Sequence, residues 1–589
     1  MTEAKTKSFP WERPLKVTEI LKRSISYLKP QRLRFAVAAL LVILNVAFDI
    51  ALPMFISSAC GNLQSDSVNL VFIIGLAIGY VAIGAVNQGV LYVLSIILQK
   101  AGQSVVAQLR LEVYGHVQSL SQSQLDGMPV GSLVTRVASY TASVSDLFTE
   151  VLVKVIKNLL TVVGVYGMML YISWQLALVM LAFIALVALV SFSFGKIIGA
   201  LFRKERQFLS ELNTYLNENL SGVKLIHVFN RQDFKQLEFI LKNENLRRAR
   251  YKEVIAFGIY RPLITLIYVT AVAVTFYLGI VFGLTSAMIV AFYLYLSKFF
   301  NPIQNLADQL NNLQKAFSAL ERLFCLMDLK PLICDSPDAV EIDTFKGDVE
   351  FRDVWFAYEG EDWILKGVSF KVKSGQTCAF VGATGAGKST VLSLIVRNYD
   401  IQRGQILIDG RDIKTIKVRS LRRAIGQMLQ DVMLFSGSIR DNLTLGNTDF
   451  TEEQIRSACR YVNADVFIDR YAEGLQTELN ERGENLSQGQ RQLLSFARTV
   501  LHSPQILILD EATANIDTET EALIQDGLEK MRSIGTMLVC AHRLSTVQNA
   551  DNIIVMQNGV IAESGTHEQL LGKGGYYATL YNLQRAERD

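Results

Sequence analysis

Residues 377–396 of the chain read TCAFVGATGAGKSTVLSLIV. An apolar stretch typical of a buried strand leads into a glycine-rich turn, and the apolar positions of a helix follow. The turn matches the spacing G-x-x-x-x-G-K-S from 382 to 389. Glycines at this spacing let backbone N–H groups wrap phosphate groups beside the start of the helix. The sequence therefore predicts a phosphate-binding loop (Walker A) in an α/β domain.

The residue types of this loop predict individual contacts with ATP. Lys388 is expected to reach the β- and γ-phosphates, and Ser389 is expected to offer its hydroxyl to Mg²⁺. The strand before the loop and the helix after it are the context that this motif requires. The predicted ATP-binding residues of the loop are Gly382, Ala383, Thr384, Gly385, Ala386, Gly387, Lys388, Ser389 and Thr390.

A second apolar run, ILILDEAT at 506–513, ends in two carboxylates. The run predicts another buried parallel strand. Asp510 at its end suits a ligand of Mg²⁺, partly through water, and Glu511 suits the base that orients or deprotonates the attacking water. An acid pair after an apolar run is weak by itself. In the same domain as a phosphate-binding loop, it indicates nucleotide hydrolysis.

The composition excludes an ordinary soluble enzyme. The chain has 589 residues, 50% of them hydrophobic, and a mean hydropathy of +0.27. A net charge of +3 gives no case for a nucleic-acid partner. The six cysteines lie far apart without metal-ligand spacing, so free thiols are expected.

Long apolar runs lie before about residue 330. A membrane-spanning helix needs about 20 mostly apolar residues. Six stretches qualify, the last being the weakest: 35–56, 68–98, 151–172, 176–198, 257–281 and 287–300 with its flanks. Lys and Arg are absent from the short connections and frequent in the N-terminal stretch and the two long connections, roughly 99–150 and 199–253. The positive-inside rule therefore places both termini and the long loops in the cytosol.

The expected organisation has four parts. A cytosolic N-terminal segment (1–34) precedes an all-α transmembrane domain of six spans (35–328), and a linker (329–346) leads to an α/β nucleotide-binding domain (347–589). After the sixth span, apolar residues alternate steps of three and four from Ile303 to Phe324. This spacing predicts an apolar seam that packs against neighbouring helices.

Polar residues at membrane depth are functional candidates. Asn45 and Asp49 share one face of the first span, Asn87 lies in the second, and Arg261 lies near the inner end of the fifth. Asn45, Asp49 and Arg261 are the candidate substrate-cavity residues, with helix–helix hydrogen bonding as an equal alternative. Two lysines of the third span are expected to reach the inner membrane surface and carry little weight: Lys154 and Lys157.

With LSQGQ at 486–490 between the two nucleotide motifs, the chain resembles ABC transporters, specifically exporter-type half-transporters. The resemblance covers essentially the whole chain. It implies that Tyr358 stacks on adenine, that Gln430 contacts Mg²⁺ or water, and that His542 contacts the γ-phosphate. It also implies that Asp517 belongs to a D-loop at a dimer interface. The catalytic residues are then Glu511, His542, Lys388 and Gln430. Stretches 125–137, 217–232 and 481–483 resemble the family's two coupling regions and its X-loop.

In this family the signature of one subunit caps the ATP that its partner holds. The signature residues here are Leu486, Ser487, Gln488, Gly489 and Gln490. Gln488 stands where the family has glycine, and with an intact Glu511 this resembles one subunit of bacterial heterodimeric multidrug exporters. A homodimer that tolerates the glutamine is the alternative. A second departure, TRVASY at 135–140 where the family often has an Asn-Asp pair, leaves details of the coupling contacts open.

The resemblance implies ATP-driven export of hydrophobic or amphiphilic molecules across the cell membrane. Its cofactors are ATP and Mg²⁺, and its partners are a second half-transporter subunit and the lipid bilayer. A lipid or glycolipid flippase of the same architecture is the main alternative. A regulatory or ATP-gated subunit and an importer with the exporter fold are less favoured. A peptide exporter with its own protease is disfavoured, because the chain starts close to the first span.

Overall fold

A computed structural model describes residues 15–64, 68–304, 306–429, 431–510, 518–540 and 547–586. The chain divides into two compact units. The first comprises the chain up to Gln118 together with Val130–Leu329, and the second comprises Ser119–Pro129 together with everything from Lys330 onward.

The first part of the chain is helical. Its helices are α1 (Val17–Leu28), α2 (Arg32–Leu63), α3 (Leu70–Ser119), α4 (Gln122–Asp126), α5 (Val130–Thr135), α6 (Thr141–Asp146), α7 (Leu152–Ile172), α8 (Trp174–Ser221), α9 (Val223–Val228), α10 (Gln232–Val281), α11 (Ser286–Gln304) and α12 (Leu306–Met327). Short π-helical segments, Arg136–Tyr140 and Leu147–Val151, continue α5 into α6 and α6 into α7.

Five helical stretches of the described residues are long and apolar enough to cross a membrane. They are Val17–Leu63, Leu70–Ser119, Val130–Ile172, Trp174–Ser221 and Gln232–Val281. The sixth predicted span lies in α11, a helix of 19 residues that contains Asn301 and Pro302 near its end. Lys298 within this span, with Asn301 and Pro302 directly after it, lowers the mean hydropathy of the sixth span.

Close packing of α2, α7 and α11 forms part of the core of the first unit. Phe292 and Tyr295 of α11 are completely buried, and the Tyr295 hydroxyl donates a hydrogen bond of 2.7 Å to the Ile50 carbonyl. At Gly164 of α7 an added Cβ would lie 2.3 Å from Ile50 Cδ1. Gly164 therefore leaves room for the end of the Ile50 side chain where α7 packs on α2.

The second unit is an α/β domain. Its strands are β1 (Val349–Ala357), β2 (Trp363–Val372), β3 (Thr377–Val381), β4 (Arg403–Ile408), β5 (Arg411–Asp412), β6 (Ile425–Met428), β7 (Gly437–Ser438), β8 (Glu478–Leu479), β9 (Ile506–Asp510), β10 (Thr536–Cys540), β11 (Asn552–Gln557) and β12 (Val560–Gly565). Its further helices are α13 (Lys388–Ile395), α14 (Val418–Arg423), α15 (Ile439–Thr444), α16 (Glu452–Tyr461), α17 (Asp465–Ile468), α18 (Gln488–Leu501), α19 (Thr518–Met531), α20 (His567–Lys573) and α21 (Tyr576–Ala586).

The sheet order brings the two predicted nucleotide motifs together. A six-stranded sheet runs β12-β11-β3-β10-β9-β6, and a four-stranded sheet runs β2-β1-β4-β5. Both β3 and β9 pair in parallel with β10, with Cys540 level with Phe380 on one side and Asp510 on the other. The carboxyl ends of these strands therefore meet at one edge of the sheet. The predicted fold class, an all-α membrane domain followed by an α/β P-loop domain, is confirmed.

The short segment around α4 groups with the nucleotide-binding unit, although it lies within the stretch 35–328 predicted as transmembrane domain. Gln124 explains this grouping. Its amide donates to the Lys330 carbonyl (3.0 Å), and its carbonyl oxygen accepts from the Leu332 N–H (3.2 Å). These side chain–backbone hydrogen bonds fix α4 against the residues that open the second unit.

Candidate nucleotide site

The loop between β3 and α13 has the backbone of a phosphate-binding turn. Gly382 has φ of +154°, and an added Cβ there would lie 2.2 Å from the Met556 carbonyl oxygen. Any side chain at this position would therefore displace the neighbouring strand β11. The loop ends at Gly387, which has left-handed backbone and directly precedes α13. Helix N-termini attract negative charge, so this geometry suits a bound phosphate.

The Lys388 side chain lies folded over the loop. Its ammonium group donates hydrogen bonds to the carbonyls of Gly382 (2.6 Å) and Ala383 (3.1 Å), and the residue is buried. In both hydrogen bonds the acceptor is a neutral backbone carbonyl rather than a carboxylate. A buried cation held in this way favours an anionic ligand.

The Ser389 hydroxyl and the Asp510 carboxylate come together at the carboxyl ends of β3 and β9. Ser389 Oγ donates to Asp510 Oδ1 at 3.3 Å. Oxygen donors of this kind suit Mg²⁺, which protein sites hold through one or two side chains plus phosphate oxygens and water. No group of three or more His, Cys, Asp or Glu that could hold a metal occurs in the described part of the chain. Ser389 and Asp510 supply two oxygen donors, which fits an ion shared with a phosphate ligand.

A thiol lies beside this oxygen pair. Cys540 ends β10 level with Asp510, and burial, together with the Asp510 charge, raises the pKa of this thiol to about 12. The raised pKa favours the neutral thiol at physiological pH.

Tyr358 lies at the surface near the start of α13. Its side chain is 50% exposed, so it is not a core tyrosine. Its hydroxyl is 3.1 Å from Thr390 Oγ1, and its ring packs edge-on against Phe356 (4.9 Å between centroids) and Tyr399 (5.1 Å). These contacts fix the ring while leaving part of it accessible to a flat aromatic ligand.

The signature residues form the start of α18. Ser487 is the N-cap: its hydroxyl accepts from the Gln490 N–H (3.2 Å), and the Gln490 side chain accepts from the Ser487 N–H (3.0 Å). Leu486 and Gly489 are buried, and Arg491 donates to the Leu486 carbonyl (3.2 Å). These contacts hold the start of the helix in place.

Gln488 itself is exposed and is the first residue of α18. Its backbone is helical and does not have the positive φ that favours glycine. A glutamine therefore fits this position without backbone strain. Gln488 and Asp510 also line one cavity of about 550 Å³, together with Leu429 and Asp431.

Four predicted site residues lie outside the described residues: Gln430, Glu511, Asp517 and His542. The structure thus brings together the Walker loop, Ser389, Asp510 and, through Thr390, Tyr358. The roles of all these residues stay predictions.

Comparison with known proteins bears on both halves of the chain. The family model described as ABC transporter transmembrane region matches residues 35–303, and the model described as ABC transporter matches residues 365–514. An ATP-dependent lipid A-core flippase of Desulfotalea psychrophila is 34% identical over 570 residues, covering 96% of this chain and 99% of the relative. This chain belongs to the ABC transporter family.

Two further similarities extend over nearly the full length of this ABC transporter. A Bacillus subtilis protein, named as a candidate multidrug export ATP-binding/permease protein, is 33% identical over 578 residues, covering 96% of this chain and 99% of the relative. The solved structure of a bacterial Atm1-family ABC exporter with ATP bound has a TM-score of 0.78 and 26% identity, covering 94% of this chain and 98% of that chain.

The predicted family and activity are confirmed by these similarities. This ABC transporter binds ATP and couples ATP hydrolysis to transport. It is a multi-pass membrane protein of the exporter type, and its fold implies a dimer in a lipid bilayer. Relatives named for multidrug export and for lipid A flipping fit the chain equally well.

In the membrane unit of this ABC transporter, two of the three candidate cavity residues share one network. The Asn45 amide donates to Asn87 Oδ1 (2.6 Å), and the Asn87 amide donates to Asp49 Oδ1 (3.2 Å). Asn45 is completely buried. Arg261 of α10 is exposed and forms no hydrogen bond with this network in the described residues.

Two lysines join this network, and sequence reasoning missed both pairings. Lys157 Nζ lies 3.8 Å from Asp49 Oδ2, and Lys298 Nζ lies 3.7 Å from Asp49 Oδ1. The expectation that Lys157 only reaches towards the inner surface therefore overlooked an ion pair. Lys298 is the one charged residue of the predicted sixth span. A single charge in an apolar span is the sequence feature that could have marked it as a functional candidate.

Proposed function

We propose that this chain is one half of a dimeric exporter that uses ATP hydrolysis to move hydrophobic or amphiphilic molecules across the cell membrane, with its nucleotide-binding domain in the cytosol. The observation that carries the proposal is the 3.3 Å hydrogen bond between Ser389 and Asp510, beside the Lys388 ammonium and the phosphate-binding loop. Phosphoryl transfer needs positioned positive charge and an oriented water more than covalent chemistry.

Each residue of the site has a proposed task in hydrolysis. Lys388 leaves the loop carbonyls to contact the β- and γ-phosphates, and Tyr358 stacks on adenine. Mg²⁺ held by Ser389, Asp510 and Gln430 supplies charge neutralisation at the phosphates. Glu511 is the base that orients or deprotonates the attacking water, and His542 contacts the γ-phosphate.

Closure of two nucleotide-binding domains on ATP supplies the transport step. In the proposed dimer, Ser487 and the N–H groups at the start of α18 cap the ATP of the other subunit. Asp517 lies in the loop that crosses the interface. Closure moves the long intracellular helices, and the membrane helices change from inward- to outward-facing. Hydrolysis then resets the dimer.

We favour a heterodimer over a homodimer. This chain keeps Glu511, the proposed hydrolytic base, whereas Gln488 replaces the family's glycine in the signature that caps the partner's ATP. A tagged pull-down from the native host in mild detergent, followed by mass spectrometry, tests this choice. A second half-transporter in equal amount supports the heterodimer, and recovery of the 65.8 kDa chain alone as an active dimer contradicts it.

A lipid or glycolipid flippase is the second candidate. The flippase of Desulfotalea psychrophila is as similar to this chain as the multidrug-type relative is, at 34% and 33% identity. The two lysines at Asp49 also favour an anionic substrate. Proteoliposomes that carry either a fluorescent hydrophobic dye or a fluorescent lipid distinguish dye export from lipid flipping.

Substitution of Glu511 tests the hydrolytic site. Glu511→Gln keeps ATP binding and slows steady-state hydrolysis by at least about 100-fold, because a positioned base contributes 10²–10⁴-fold. ATP turnover and trapped nucleotide are measured on the purified dimer. Glu568→Gln, at an exposed carboxylate in the first turn of α20, is the matched control. Unchanged turnover in Glu511→Gln removes Glu511 from this role.

A further inference from the structure

Three charged side chains from three helices meet in the membrane unit. Asp49 of α2 lies between Lys157 of α7 and Lys298 of α11, with Nζ–Oδ distances of 3.8 and 3.7 Å. Lys298 Nζ also donates a hydrogen bond of 2.5 Å to the Asp49 carbonyl. We call these three residues the Asp49 cluster.

The cluster lies well inside the apolar spans. Asp49 is 14 residues from the end of α2 at Leu63, Lys157 is 15 residues from the end of α7 at Ile172, and Lys298 is 12 residues from the start of α11. These three helix ends all adjoin the short connections. At 1.5 Å per residue the three side chains lie about 18 to 22 Å from that side, within a hydrocarbon core of about 30 Å.

The charges of the cluster do not balance. Two ammonium groups face one carboxylate, and the groups that complete the network, Asn87 and Asn45, are neutral. The cluster therefore holds an excess of one positive charge. An unbalanced charge at membrane depth is costly and usually marks a path for a substrate or an ion.

The ammonium groups also have donors to spare. Within the described residues, Lys157 has its ion pair with Asp49 and no hydrogen bond of 3.5 Å or less, and Lys298 has one such bond, to the Asp49 carbonyl. Both side chains keep about a third of their surface accessible, at 30% and 31%. An incoming group with anionic oxygens can therefore reach several unused N–H donors.

We propose that the Asp49 cluster binds the anionic head group of the transported amphiphile, which carries a phosphate, sulfate or carboxylate. This inference rests on the proposed export function and names its substrate class. Lys157 and Lys298 contact the anionic oxygens, and the Asp49 carboxylate competes with the ligand for both ammonium groups. That competition lets a ligand bind and still leave, which a transport cycle requires.

The role of Asp49 separates ligand binding from simple helix packing. If the cluster only joins α2, α7 and α11, removal of any one of the three charges weakens the packing. If the cluster binds an anion, removal of Asp49 acts in the opposite direction to removal of either lysine, because it leaves two ammonium groups without an internal counterion.

The first measurement compares head-group charge at constant chain length. ATPase activity of the dimer, reconstituted in phosphatidylcholine vesicles, is measured with dodecyl phosphate, dodecyltrimethylammonium and dodecyl maltoside. Stimulation by dodecyl phosphate at the lowest concentration supports the proposal. Vesicles that contain phosphatidylglycerol form a further arm, in which stimulation without any added amphiphile identifies a lipid as the source of the anion. A response to dodecyltrimethylammonium that equals or exceeds the response to dodecyl phosphate, with no stimulation by phosphatidylglycerol, overturns the proposal.

Variants assign the response to the cluster. Lys157→Gln and Lys298→Gln raise the concentration of dodecyl phosphate needed for half-maximal stimulation by at least about tenfold, because each removes a charged hydrogen-bond donor. Asp49→Asn lowers that concentration. Lys298→Arg, which keeps the charge, retains the response, and Lys154→Gln, one turn away in an exposed ion pair with Glu150, is the matched control. Stimulation is expressed relative to the unstimulated rate of each variant.

Two outcomes overturn the site and are distinguishable from failure of the proposed function. Equal weakening by Asp49→Asn and both lysine variants, with Lys298→Arg weakened as well, makes the cluster a packing device. Unchanged affinity in all variants places the anion elsewhere. In both cases export of amphiphiles continues in the wild type. If no amphiphile stimulates hydrolysis or is transported, the export function fails, and the proposal fails with it.

Discussion

The Tyr399 hydroxyl donates a hydrogen bond to the Asp126 carboxylate, 273 residues earlier in the chain. Asp126 ends α4, the short helix between α3 and α5, and Tyr399 packs edge-on against Tyr358 at 5.1 Å. Burial, and then the bond to Asp126, raise the pKa of Tyr399, so its hydroxyl stays protonated as a donor. One tyrosine therefore touches both the proposed adenine-stacking ring and the first intracellular segment.

Tyr399→Phe removes this hydroxyl and keeps the ring. We expect the KM for ATP to change by less than about twofold, because the ring still supports Tyr358. We expect substrate transported per ATP hydrolysed to fall by about two- to tenfold, which corresponds to loss of one hydrogen bond. Both quantities are measured in proteoliposomes. Asp126→Ala, which removes the acceptor of this hydrogen bond, should give a similar loss, and the double variant should be no worse than either single variant. Full coupling in Tyr399→Phe contradicts the prediction.

The nucleotide loop could be predicted because its information is local. The strand, the turn and the helix of residues 377–396 are contiguous in the chain, and the glycines of the turn permit the positive φ found at Gly382 and Gly387. The position of Asp510 could also be predicted, because it ends a parallel strand and parallel strands of one sheet end at the same edge. Its 3.3 Å contact with Ser389 agrees with that expectation.

The Asp49 cluster could not be predicted, because hydropathy does not say which helices are neighbours. Asp49 and Lys298 are 249 residues apart and meet only because α2 packs on α11. The spacing of Asn45 and Asp49 indicated a polar face, but it gave no partner for that face. For the same reason, no local pattern joined Tyr399 to Asp126.

Tyr358→Ala tests the adenine contact. The KM for ATP should rise by about two- to tenfold with little change in kcat, since an aromatic stack contributes about 0.5–1.5 kcal/mol to binding. Tyr358→Phe is the matched control, because it keeps the ring and loses only the 3.1 Å contact with Thr390. Steady-state hydrolysis over a range of ATP concentrations gives both constants. An unchanged KM in Tyr358→Ala would show that the Tyr358 ring only packs against Tyr399 and does not contact adenine.

Gln488→Gly tests whether the glutamine disables the signature. Because Gln488 is exposed and has helical backbone, restoring glycine should change the ATPase rate of the dimer by less than about twofold. Ser487→Ala should act more strongly. It removes the N-cap hydroxyl that accepts from Gln490, at a cost of about 0.5–2 kcal/mol in stability, and it removes the proposed phosphate contact. Thermal unfolding and ATPase rates of both variants are compared. A large gain of activity in Gln488→Gly contradicts the prediction.

The folding stability of the nucleotide-binding domain should fall at alkaline pH, because three of its thiols are buried. Burial is the main cause that raises the pKa of Cys378, Cys459 and Cys540 from 9.0 to about 12. Because the folded domain holds these protons more tightly than the unfolded chain, their contribution to stability is complete below pH 9 and is lost as the pH rises from 9 towards 12. The denaturant concentration at the midpoint of unfolding should therefore be lower at pH 10 than at pH 8.

Thiol labelling at pH 8 checks the same prediction residue by residue. A maleimide should modify the exposed Cys334 within minutes and reach the three buried cysteines only after unfolding, because the thiolate is the reactive form and burial also blocks access. Cys334→Ser is the control, and it should remove the rapid phase. Peptide mapping by mass spectrometry identifies the labelled sites. Labelling of Cys540 in the folded protein as fast as Cys334 would show that the end of β10 is open to solvent and would contradict the raised pKa.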